Sequence, residues 1–300
     1  MEIASPLISQ TLEAMGNSRR SREGRRSPLF ILLLSGVLFI ECPSVSAAAV
    51  EEAWALNRTL QFNEAEKRLR DYDLAEGEEW SRGAMARALT LLSVQPKTSR
   101  NVDTAYGLLE EVLSSDSGDD LKAWALYYLA RIDQLHRTKP DAEQALRSYR
   151  DLIERYPDHI AAQLGFLKSI LLRLYANREN RPSEETLTSL EREGEFLQSD
   201  FARNQFHTLM ADGYLFFDLS RERAMEHLLA ARALGSFEII DLGDDYLRIA
   251  NISYELGKRE IALRHYRRFL EMRPQSTFAY MIRERIGELG EGSDGVGRME

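Results

Sequence analysis

The sequence predicts an all-α protein, an α-solenoid of about five to six helix pairs closed by a single C-terminal helix. Three observations predict it. Long runs rich in Ala, Leu, Glu and Arg carry almost no Val/Ile/Thr alternation, which favours helix over strand. The 300 residues are 44% hydrophobic and 29% charged with only eight prolines, enough to build and solvate a core and unlike a largely disordered chain. Small and apolar residues also recur at helical spacing, in paired segments of similar length, from Val50 to Leu289.

Residues 1–48 differ in kind from the rest. Arginines between Arg19 and Arg26 precede the apolar run Leu29 to Ile40, and the small residues SVSAAA follow. That order is the order of a secretory signal peptide, with cleavage expected near Ala47 to Ala49 and with Met15 as an alternative start. The apolar run is short of the roughly 20 residues that span a bilayer, so the alternative is an uncleaved signal that anchors the protein in a membrane. A lipidated Cys42 is disfavoured because Glu41, rather than a small residue, precedes it. Cys42 is the chain's one cysteine, so a processed protein contains no disulfide and relies on helix packing. Loss of the leader removes five Arg and four Glu and leaves 34 basic and 44 acidic residues, a net charge of −10. That balance excludes a nucleic-acid or anionic-membrane binder, so the membrane is met only through an uncleaved signal.

From residue 50 the helix pairs follow in order. Val50 to Tyr72, with Ala65 and Leu69, opens the array. Residues 78–114 form the next pair around Ala84, Ala105 and Leu109, joined by the long connection SVQPKTSRN. Residues 119–157 carry Leu126, Leu129 and Ala130 and then Ala145, Tyr149 and Pro157, with Pro140 expected in the first turn of the second helix. Residues 158–198 carry Leu164, Gly165, Leu187 and Leu190 across the connection ANRENRPS. Residues 200–234 set His207, Met210, Ala211 and Tyr214 against Ala224, Leu228 and Ala231, with one extra residue in the turn.

The segment Tyr246 to Pro274 has the clearest register. Tyr246, Ile249 and Ala250 share one helix face, Gly257 ends that helix in the left-handed conformation, and Ala262 and Tyr266 face back from the second helix. Pro274 stops the second helix. Ser276 to Leu289 reads as a capping helix and residues 290–300 as a disordered tail, giving one repeat domain over 50–289.

At these offsets Tyr246, Ile249, Ala250, Gly257, Ala262, Tyr266 and Pro274 resemble the tetratricopeptide repeat, with Ser253 where the family usually has a tyrosine. The resemblance implies a right-handed solenoid whose successive first helices line a concave groove for a partner's peptide or helix. The groove residues it implies are Trp124, Tyr127, Arg131 and Gln134, then Gln205, Thr208, Asp212 and Leu215, and then Asp244, Leu247, Arg248, Asn251, Tyr254 and Glu255. Arg248 and Asn251 supply two residue types of the carboxylate clamp found in some members, but the full set is not assembled. The phrases ERYPDHIAA and EMRPQSTFA resemble repeat junctions of periplasmic members that assist envelope assembly.

No catalytic or metal constellation accompanies the repeats. The five histidines His136, His159, His207, His227 and His265 include no pair at i, i+4, and there is no Gly-rich phosphate loop or GxSxG. Each histidine therefore reads as a solitary structural residue. Acidic pairs at Asp119/Asp120, Glu184/Glu185 and Asp244/Asp245 read as caps of free N–H groups at helix N-termini that also oppose the dipole. The expected function is that of a non-catalytic, cofactor-free scaffold or adaptor of the cell envelope with a protein or peptide partner. The alternative is a helical-repeat accessory domain of an enzyme acting on envelope peptidoglycan or polysaccharide.

Overall fold

Strong helix formers spaced at i, i+3 and i+4 fold as α-helices joined by short turns over the residues that the computed structural model describes, 45–70, 78–176, 181–235 and 243–291. Thirteen α-helices and no strand are present among the described residues. Residues 1–44, most of the segment expected to be a signal peptide, and residues 292–300 lie outside them, while Gly290 and Glu291 of the expected 290–300 tail belong to the last helix. The chain divides into two compact units at Ser148/Tyr149, a point where the sequence has no break in composition.

The first unit contains α1 (Val45–Arg58), α2 (Phe62–Arg70), α3 (Glu78–Ser93), α4 (Ser99–Ser114) and α5 (Asp119–Arg131), and it ends within α6 (Ala142–Arg155). Each first helix packs on its own partner and on the next first helix: α1 on α2 and α3, and α3 on α4 and α5. The second unit holds α7 (Ile160–Tyr175), α8 (Glu184–Glu193), α9 (Asp200–Phe216), α10 (Arg221–Ala233), α11 (Asp244–Glu255), α12 (Arg259–Met272) and α13 (Ala279–Glu291). Here α9 packs on α7, α8 and α10, α11 on α10 and α12, and α13 on α12.

The small anchors read from the sequence are the closest contacts. Ala65, Ala84, Ala105, Ala145, Ala211, Ala224, Ala250 and Ala262 are all fully buried, so the backbone of each helix lies against its neighbour. Tyr149, Tyr214 and Tyr266 fill the space beside them and are among the largest fully buried side chains. Ile282 buries itself in the cluster of Ala250, Ala262, Tyr266 and Phe269, with Met281, Ile286 and Leu289 beside it, so α13 covers the last pair as a cap.

Helix starts follow from local chemistry. The side-chain oxygens of Thr98, Ser183, Ser199 and Ser220 each accept the backbone N–H three residues on, an N-cap that contributes roughly 1 kcal/mol. The paired acids at 119/120, 184/185 and 244/245 sit in first turns, where they oppose the dipole, while capping is left to Ser183 in α8. Pro140 is not in the first turn of α6. Asp141 caps that helix by accepting the Gln144 N–H at 2.8 Å, which places Pro140 one residue outside. Ahead of the HRTKPD turn α5 continues as a π-helical turn, Ile132–His136, which takes in only the first residue of that turn. The connection after α3 is also shorter than expected, because Ser99 to Asn101 already belong to α4.

Three tight hairpin turns share one geometry. Leu60, Asp218 and Gly257 have φ of 60°, 50° and 67°, and the following N–H in each case returns to the carbonyl five residues back. Only the last of these positions has the glycine that the left-handed conformation favours.

Candidate protein-binding face

The side chains between successive first helices of the second unit build the candidate site. Arg248 on α11 pairs with Asp212 on α9. One turn on, Asn251 Oδ1 accepts the Tyr266 hydroxyl at 2.8 Å and an Arg285 N–H at 2.7 Å. The Tyr254 hydroxyl donates to Glu288 at 2.5 Å, and the Arg285 guanidinium lies 4.8 Å from the centre of the Tyr254 ring. Polar side chains thus lace α9, α11 and α13 along one face. Hydrogen bonding to the Glu288 carboxylate, together with burial, raises the Tyr254 hydroxyl pKa and holds it protonated as a donor.

At the end of this face stands an aromatic group that the sequence reading passed over. Phe216, 71% exposed, packs edge-on against Tyr175 at 5.4 Å and Phe217 at 4.9 Å, while Tyr175 stacks on Phe217 at 5.5 Å. The available signal was the Phe216-Phe217 pair just before the turn, two large aromatics where the helical pattern needs one.

The remaining expected groove residues sort by contact. Leu215 and Leu247 pack against the buried clusters of α9–α12 and α11–α13. Asp244 pairs with Arg273 and Glu255 with Arg221, each at 3.1 Å. Gln205 and Thr208 bond to Asn204 on their own helix.

The α5 residues do not form part of such a surface. Trp124, Tyr127 and Gln134 are 1%, 4% and 8% exposed, with the Trp124 and Tyr127 rings edge-to-face at 5.6 Å. Arg131 is half-buried and donates to Gln134 at 2.7 Å. The reason is that α5 is apolar all round, with every residue from Ala123 to Ala130 buried, as in a helix enclosed on all sides.

The family model of the tetratricopeptide repeat matches residues 124–159 and 246–276. Two segments of the chain thus carry the pattern of the tetratricopeptide repeat. The second match covers α11 and α12, the pair with the clearest register in the sequence. No curated protein matches the chain. Among solved structures, a thermophilic TPR protein of Thermus thermophilus is similar at 19% identity, over 70% of this chain and 98% of that one, with a TM-score of 0.36.

Between these repeats the structure also corrects the view of the histidines as solitary. His207 on α9 and His227 on α10, twenty positions apart, meet Nδ1 to Nδ1 at 2.9 Å. His227 Nε2 lies 2.9 Å from Glu191 on α8, which also accepts the Tyr214 hydroxyl at 2.8 Å and pairs with Arg223. Burial alone would raise the Glu191 carboxyl pKa, but hydrogen bonds from His227 and Tyr214 and the Arg223 charge hold it below the usual value. Burial, reinforced by His227 and Arg203, lowers the His207 pKa to about 4. Burial also lowers that of His227 against the pull of Glu191. Among the described residues no three His, Cys, Asp or Glu converge as a metal site.

Proposed function

We propose that the protein is a non-catalytic scaffold or adaptor of the cell envelope that binds an extended peptide or a helix of a partner on the first-helix face of its second unit. Tetratricopeptide repeats generally mediate protein–protein interaction, and two such repeats are present. The observation that carries the reading is the polar lacing of α9, α11 and α13 with Phe216 exposed at its edge. Fixed polar side chains satisfy a peptide backbone, and a rigid exposed aromatic anchors a side chain at low entropic cost. Leu215, Thr208 and Gln205 extend the same face along α9. The basic, apolar and small-residue order of residues 1–48 supports export.

Two experiments test the two halves of the proposal. Fractionation of cells expressing the full chain should recover a shortened protein outside the cytoplasm; full-length chain in the cytoplasm would overturn the envelope assignment. Affinity capture from envelope extracts should recover partners with the natural protein and lose them with a Phe216→Ala, Arg248→Ala double variant. Equal recovery by both would overturn the face.

A further inference from the structure

Behind α9, on the side away from the proposed face, lies a cleft of 450 Å³ between the end of α8 and the start of α10. At 3.6 residues per turn, Arg203, Phe206, His207 and Tyr214 point about opposite to Gln205, Thr208, Asp212 and Leu215. The cleft belongs to the second unit alone, and it is many times the ~30 Å³ that one water occupies.

The hydrogen-bond order inside it has one solution. Glu191 is ionised and can only accept, so His227 must donate through Nε2–H. A neutral His227 then has a bare Nδ1, which must accept from His207 Nδ1–H across the 2.9 Å contact. A neutral His207 is left with a bare Nε2. No partner for that nitrogen exists among the described residues, and it is not sealed from solvent. The chain from Glu191 therefore fixes the open nitrogen as an acceptor. Without Glu191, either tautomer of the pair would serve equally well.

The charge of the cleft selects among donors. Arg223 is neutralised by Glu191 and Glu226, and Arg203 by Asp200. Glu195, also lining the cleft, is exposed and has no partner among the described residues, so the lining has an excess of negative charge. Beneath it Phe206 and Leu197 supply an apolar floor for a methylene stem.

We propose that this cleft is a second binding site, on the opposite side of α9 from the peptide face, for the basic side chain of a partner, its N–H groups donating to His207 Nε2 and its charge balanced by Glu195. The site stands independently of the first-helix face, since it uses none of the same residues.

Nuclear magnetic resonance on the full chain tests it, with ¹⁵N-labelled histidine and Nα-acetyl-arginine amide as the probe. Near neutral pH, His207 should carry its proton on Nδ1 and His227 on Nε2, and the probe should shift the His207 Nε2 signal saturably. Nα-acetyl-citrulline amide, equal in shape but uncharged, should bind at least several-fold more weakly. Glu195→Gln, at an exposed position that folding does not use, should lower probe affinity several-fold and leave the tautomers unchanged. A proton on His207 Nε2, equal binding of the two probes, or no shift at all would each overturn the proposal.

Discussion

At the scale of single residues, the histidines fix how the fold answers to acid. The His207 imidazole has a folded pKa of about 4, below its ordinary 6.5, and burial lowers His136 likewise to about 4, with the neighbouring Lys97 and Arg131 charges adding to it. A base with a depressed pKa binds fewer protons folded than unfolded, so its contribution is complete above pH 6.5 and is lost as pH falls towards 4. The melting temperature should therefore fall across that window, and a His207→Gln variant should fall less steeply; a flat profile would contradict the buried neutral pair. The three left-handed turn residues give a second test. Leu60→Gly should stabilise the protein by about 1 kcal/mol, Asp218→Gly by less, and Gly257→Ala should cost about 1 kcal/mol, as read by urea unfolding. Burial was legible at this scale, because Ala250, Ala262 and Tyr266 follow from spacing alone. Pairing was not: His207 and His227 meet through the register of a whole hairpin, which no local spacing encodes. Nor could sequence distinguish Leu60 from an ordinary turn residue, since its left-handed conformation runs against the residue's own preference.

At the scale of elements, close approach and capping carry the energetics. A Cβ on Gly194 would meet the buried Phe206 ring at 2.7 Å, where the short turn after α8 lies against α9. Gly194→Ala should destabilise by about 1–3 kcal/mol, since the Phe206 ring must give up part of its packing against Phe166 and His227 to make room. Calorimetry checks it. At the other end of the unit, Arg285→Ala removes the donors to Asn251 and Tyr266 and should loosen α13 by about 1–3 kcal/mol, seen as faster amide exchange confined to that helix. Element type was readable because helix propensity, serine caps and apolar period agree along most of the chain. Element role was less so. The segment DDLKAWALYYLAR was read through repeat offsets as offering Trp124 and Tyr127 to a groove, but its apolar residues run round the whole helix and bury both. The turn after it is a second such case: α5 runs on as a π-helical turn to His136, and Arg137 to Pro140 then bridge to Asp141, which restarts α6.

At the scale of the molecule, the repeat logic puts the surface of the second unit to use. Packing each first helix on the next aligns Asp212 with Arg248, Asn251 with Arg285 and Tyr254 with Glu288, and it leaves Phe216 open beside them. The helical-repeat architecture was legible in the sequence, through the offsets of Tyr246 to Pro274. The aromatic edge and the cleft behind α9 were not, because both are made by side chains from helices that only folding brings together. The central claim, that the first-helix face is where a partner sits, is tested most directly by hydrogen–deuterium exchange on the full chain with and without its captured partner. Protection should appear over α9 and α11, around residues 208–216 and 247–255; protection confined to the second helices α10 and α12, with α9 and α11 unchanged, would contradict it.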